Sequence, residues 1–334
     1  MNLIRDIFTS PELYPLKIDF EKRIVKFVRM SRESYRDSVF LDLRTRHLGT
    51  EIEIRLDDLL LVAASEPAPA KRVHHILHTS FCCSTLLARY FELLPSCFVL
   101  KEPRLLAQIA HTPSRLDFPW SEVFDLCLRL LTRTYEPGEM IVIKHNDWCN
   151  PLGKKLLEQN NRATITFLMT PLRHFLLAVL KSEERRDWVR TRIRRVVTYT
   201  AVSHSLMHIK IDDLIVAEAA AYLWLTNRSL CTQLISNGYH SRVLVLSGEQ
   251  VAGSPAEALR AIAKTCELSL TEQQLKWMIT HSSVSKYSKD ISRPYDVTSR
   301  HNEMTELEHC WGAEADAGID WAMSYAAADN IEDW

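Results

Sequence analysis

Glycine is scarce in this chain: 8 residues in 334, against ~7% in average usage. A fold built on many glycine-rich turns is therefore disfavoured, and so is a glycine-rich nucleotide loop. Neither G-x-x-x-x-G-K-S/T nor G-x-G-x-x-G occurs. Long hydrophobic runs are missing too. The longest apolar stretch, Leu214 to Leu225, contains Glu218 and is too short to span a bilayer. The first residues, Met1 to Asp6, acquire charge at once and lack a signal-peptide core. These absences predict a soluble, cytoplasmic protein without a membrane span. Charge of one sign is absent: 41 Lys+Arg stand against 42 Asp+Glu. A global polybasic surface for nucleic acid is excluded, although a local basic pocket is not. The eight cysteines are scattered, with no C-x-x-C pair and no zinc spacing. Neither a disulfide framework nor a metal site is expected.

What is present is ordinary globular chemistry, 46% hydrophobic and 25% charged. The length suits one large α/β domain or two small ones. Residues 1–70 read as a β-rich extension. Leu16 to Phe20 and Ile24 to Val28 alternate around a charged turn, which predicts a hairpin. Ser31 to Ser38 is a short helix candidate, and Glu51 to Leu56 alternates again. Ser65 to Ala70, with two prolines, reads as a linker.

From 71 to 334 the rhythm changes to strand, loop, helix. Strands are expected at Val73–His78, Cys97–Lys101, Met140–Lys144, Ala163–Met169 and Arg242–Leu246. Helices are expected at Ser84–Leu94, Arg104–Ala110, Ser121–Tyr135, Pro151–Gln159 and from Pro171 onward. Residues 183–236 read as purely helical. Later helices fall at Pro255–Cys266, Thr271–Ile279 and Asn302–Ala328, and Ser282–Arg300 reads as a polar, irregular segment. Alternation of this kind predicts a three-layer α/β domain, a parallel sheet flanked by helices. Ligands then bind at the carboxyl ends of the strands. The loops after His78, Lys101, Lys144 and Met169 should share one face.

The first of those loops is the richest in hydroxyls: Thr79-Ser80-Phe81-Cys82-Cys83-Ser84-Thr85. It runs from a strand into a helix start, where free N–H groups and the helix dipole favour an anion. Ser84 and Thr85 either add hydroxyls to that anion or simply cap a core helix. Cys82 and Cys83 either fill space behind the loop or, at a helix start, form a reactive thiolate.

Strand, hydroxyl-rich turn, Ser84-Thr85-Leu86-Leu87, then a strand ending in Glu102-Pro103 resembles the sulfotransferase family, and the string from Thr79 to Arg89 resembles a divergent bacterial branch of it. The resemblance covers roughly residues 70 to 300. Those enzymes carry a phosphate-binding loop, the P-loop, reading K/R-S-G-S/T-S/T. They transfer a sulfuryl group from 3′-phosphoadenosine 5′-phosphosulfate (PAPS) to a hydroxyl acceptor, here a small molecule or saccharide. The resemblance implies that Thr79, Ser80, Cys82, Cys83, Ser84 and Thr85 hold the 5′-phosphate. Glu102 matches the strand-end Glu-Pro and is the first choice of base, with His145 the second. Lys144 or His78 would supply the cation. Three departures stand out. Phe81 occupies the basic position of the loop and Cys83 its glycine. At the 3′-phosphate motif, Met169, Thr170 and Leu177 replace Arg, Asp and Ser, and only Pro171 remains. Arg173, or late cations such as Lys286, would have to bind that phosphate. Two alternatives stay open: a non-catalytic nucleotide-binding or interaction protein with this fold, and a small-molecule kinase. The partners expected are the nucleotide and the acceptor alone, without nucleic acid.

Overall fold

The computed structural model describes residues 3–45, 47–65, 71–112, 118–199, 206–284 and 297–326. Among the described residues eight strands form two sheets. β1 (Leu13–Asp19), β2 (Ile24–Arg29) and β3 (Leu48–Arg55) make an antiparallel sheet in that order. The expected hairpin and the later alternating strand are both there. β4 (Val73–His78), β5 (Cys97–Lys101), β6 (Met140–Lys144), β7 (Ala163–Met169) and β8 (Val243–Ser247) form a wholly parallel sheet, ordered β5-β6-β4-β7-β8.

β4, β5, β6 and β7 are buried along their whole length because both faces of the sheet are covered, so even the histidines of β4 and the threonines of β7 lie inside. Alternate residues divide cleanly between two cores. Leu77, Leu100, Ile141, Ile143, Ile165 and Phe167 face one core, shared with helices Trp120–Leu131, Leu172–Leu180 and Val216–Leu234. Ile76, Val99, Val142 and Leu168 face the other, under helices Ser84–Glu92, Pro255–Thr265 and Glu272–Thr280. The three-layer α/β architecture is as expected.

The N-terminal sheet packs into the first of these cores through Tyr14 and Phe27, joined by Tyr35 of the short helix Arg32–Asp37. Tyr35 meets Phe98 of β5 edge-on, 5.0 Å between ring centres. Arg133 is buried among backbone carbonyls and donates to those of Ile7, Ser10 and Leu13. It ties the N-terminal helix Leu3–Thr9, which the sequence pattern did not announce, to the rest.

Two further expectations need correction. The segment 183–236 holds two long helices, Glu183–Tyr199 and Val216–Leu234, and over 206–215 the chain is irregular apart from the short 3-10 turn Ile211–Asp213. A helix covers Val297–Ala326, so Arg300 sits on a helix and not in an irregular segment. Most of the linker and the part of the polar segment that holds Lys286 lie outside the described residues. Among the described residues, no helix is long and apolar enough to cross a membrane.

Candidate active site

The loops after β4, β5, β6 and β7 do converge, on a cavity of about 560 Å³. The β4 loop builds its floor. Ser80, Phe81 and Cys83 all have left-handed backbone, with φ of 71°, 55° and 61°. Non-glycine residues in that region cost about 1–2 kcal/mol each. The loop therefore reaches, without glycine, a geometry that glycine would take freely. Its neighbours hold it there. Thr79 N–H donates to the Leu168 carbonyl at 3.0 Å, and Thr170 N–H donates to Thr79 Oγ1 at 3.0 Å. Thr170 Oγ1 donates to the Ser80 carbonyl at 3.1 Å, and the Trp224 indole clamps the Thr170 carbonyl at 2.7 Å. From the other side, Gly248 presses on Cys82: a Cβ there would lie 2.7 Å from the Cys82 carbonyl oxygen.

The helix Ser84–Glu92 begins directly after Cys83, and no side chain caps it. Its start faces the cavity, with Ser84 and Thr85 in the wall. Of the two adjacent cysteines, Cys82 is buried and desolvation pushes its thiol up to about 12. Cys83 is half-buried and its sulfur accepts from Arg300 Nη1 at 2.6 Å.

Across the cavity, Glu102 also has left-handed backbone (φ 53°), its N–H on the Lys144 carbonyl at 2.6 Å. The Lys144 ammonium pairs with Glu102 Oε1, and Asn146 Nδ2 donates to Oε2 at 3.2 Å. Lys144 is almost wholly buried and lies 5.4 Å from the centre of the Phe40 ring. Lys101, next to Glu102 in sequence, points elsewhere. Its ammonium is buried against the Arg36 carbonyl and Glu92.

The third wall comes from the helical segment and the C-terminal helix. Arg185 stacks on Phe81, 4.5 Å from the ring centre, and Trp188 meets Phe81 edge-on. Lys181 pairs with Glu303. Among the described lining residues, Lys144, Lys181, Arg185 and Arg300 face Glu102, Asp147, Glu184 and Glu303. Local cations are thus plentiful, but carboxylates match them.

The sequence candidates therefore separate. His78, Ser80, Cys82, Cys83, Ser84, Thr85, Glu102 and Lys144 line one cavity. Thr79 is buried beneath it as a brace. His78 lines it, yet its ring is committed: Ser80 N–H donates to Nδ1 at 3.0 Å, and Nε2–H donates to the His145 carbonyl at 2.9 Å. His145 is fully buried, sharing a 2.8 Å hydrogen bond with His75, and is not in the wall. Burial depresses it to about 3, so it stays neutral. Arg173 is drawn away from the cavity by Glu308 and by Asp316 at 2.7 Å. As wall residues, Phe40 is unannounced in the sequence, and Arg185 and Arg300 appear there only as members of the basic run Lys181–Arg195 and of the polar stretch Ser282–Arg300. Each comes from a segment far from the strand-end loops, and tertiary packing alone unites them. Among the described residues no group of His, Cys, Asp and Glu could hold a metal ion.

No family model matches the chain. No curated protein matches it either. Solved structures similar to it include a mouse sulfotransferase, SULT7A1, complexed with PAP (12% identity, 86% of this chain and 96% of that chain, TM-score 0.44). A sulfotransferase from Alicyclobacillus acidocaldarius is similar at 13% identity, over 77% of this chain and 96% of that one, with a TM-score of 0.39. Sulfotransferase STF9 from Mycobacterium avium matches at 10% identity, 78% and 84% coverage and a TM-score of 0.38.

Proposed function

We propose that the cavity binds PAPS and that the protein transfers its sulfuryl group to a hydroxyl acceptor. The observation that carries this is the meeting, in one cavity, of an uncapped helix start bearing Ser84 and Thr85 with the Glu102–Lys144 pair. A helix start suits the anionic end of a nucleotide. A carboxylate opposite it suits the proton of an attacking alcohol.

In that chemistry the acceptor oxygen attacks sulfur in line, and the bond from sulfur to the nucleotide phosphate breaks. The electron pair leaves with the phosphate oxygen, giving PAP, the nucleotide bisphosphate. Glu102 takes the acceptor proton. Its own charge is then cancelled, and the ammonium of Lys144 is left to face the charge developing on the leaving oxygen. Positioning and charge stabilisation supply most of such a rate enhancement.

A non-catalytic binder is favoured by one specific observation, the balance of carboxylates and cations among the described residues around the cavity, which offer little net attraction for a multiply charged donor. Titration calorimetry with PAP beside ATP and magnesium separates the cases. PAP is expected to bind selectively, and Ser84→Ala and Thr85→Ala to weaken it without lowering the melting temperature. Selective binding of ATP would point to a kinase, and binding of neither to a protein that has lost the donor. Unchanged PAP affinity in both variants would remove the anion site from the β4 loop.

A further inference from the structure

The β4 loop carries hydroxyls, thiols and a phenyl ring from Thr79 to Thr85, and no cation. Among the described residues two cations nevertheless reach it, Arg185 over the Phe81 ring and Arg300 at Cys83. Arg300 lies on the C-terminal helix Val297–Ala326. Its Nη1 donates to Cys83 Sγ at 2.6 Å, and its Nη2 donates to Glu249 Oε1 at 2.9 Å. The same carboxylate oxygen accepts from His174 Nδ1 at 3.0 Å. Glu249 sits in the first turn of the helix Gly248–Gly253, whose leading glycine abuts Cys82. The guanidinium is thereby fixed in register with the loop and opens on the cavity.

The carboxylate and the thiol are unequal partners. A carboxylate is a strong acceptor and holds one nitrogen. A thiol is among the weakest acceptors a protein offers. An oxygen of phosphate or sulfate would replace the thiol, because charge-assisted bonds from guanidinium to such anions are short and strong. Arg185 is placed differently: it is stacked on Phe81 and donates to the Ala178 carbonyl.

We infer that Arg300 is the cation of the anion-binding loop, supplied from the C-terminal helix to take the oxyanion at the 5′ end of the donor. Glu249 is the positioning residue that aims it. The inference rests on the function proposed above, and it extends it: the donor site is complete only with the C-terminal helix docked.

The test uses the full chain and two readouts. Arg300→Gln is expected to weaken PAP roughly 10- to 100-fold in calorimetry, the size of a lost charged hydrogen bond. Arg300→Lys should recover part of the loss, and it guards against a folding defect in the glutamine variant. Equal PAP affinity in wild type and Arg300→Gln would overturn the inference and leave the proposed function standing. The second readout does not need the nucleotide. Iodoacetamide labelling of Cys83, followed by peptide mass analysis with exposed Cys310 as reference, should be slowed by inorganic pyrophosphate in wild type and not in Arg300→Gln. If PAP fails to bind wild type, the proposed function falls, and the pyrophosphate result still decides the role of Arg300. Protection that is absent from wild type, or equal in both proteins, counts against it.

Discussion

Glu102 and Lys144 were each legible in the sequence as strand-end residues, but not as a pair. Paired strands explain their meeting: Lys101 and Lys144 are register partners on β5 and β6, so the residue after one reaches the side chain of the other. The left-handed backbone at Glu102 turns its carboxylate into the cavity while Lys101 goes to the opposite side. This division of neighbours gives a sharp expectation. Glu102→Gln keeps the shape and the bond from Asn146 but removes the proton acceptor. With PAPS and the best acceptor from a hydroxyl panel, kcat should fall roughly 100- to 10,000-fold. PAP affinity should stay within a few-fold. Turnover equal to wild type would remove Glu102 from the chemistry.

At the scale of elements, four strands of the parallel sheet were readable to the residue. Short runs rich in β-branched and other apolar residues, ending on a polar one, leave little freedom in placing Met140–Lys144 or Cys97–Lys101. The helix Leu56–Ser65 was hidden because the alternation of β3 runs straight into its first residue. The cavity's third wall was hidden for another reason: Arg185 reads as one cation of a solvated helix face and Arg300 as the end of a polar, irregular segment until packing aims them. The same applies to the loop's strained backbone, which no composition reveals. That strain is held by a neighbour, the helix Gly248–Gly253, and the contact is testable. Gly248→Ala would set a methyl against the Cys82 backbone, a rigid partner that offers no rotamer to move. The expected loss is about 1–3 kcal/mol by urea unfolding, in the range for overpacking. An unchanged midpoint would show that the loop yields, and that its geometry is not fixed by this packing.

For the whole molecule, the consequence lies in the histidines of the sheet. His74, His75 and His145 are buried, the first between Thr164 and Thr166 at 2.9 and 3.1 Å and the other two against each other. Desolvation holds His74 and His145 at about 3 and His75 well below its ordinary value. In the unfolded chain each would titrate near ~6.5. Between those values the unfolded state binds a proton that the folded state refuses, so stability rises with pH there. The stabilisation is complete above the unfolded value and is lost as pH falls below it. Each histidine contributes a slope of about 1.4 kcal/mol per pH unit. The three together therefore approach about 4 kcal/mol per unit just below pH 6. Urea unfolding from pH 7.5 to 5 should show the midpoint dropping steeply below about 6.5, where the unfolded rings begin to charge. A flat profile over that interval would mean that the rings already carry protons in the fold. The sheet that positions the cavity would then have to accommodate charge at its centre, which the threonine partners of His74 and the shared bond of His75 and His145 are not built to do.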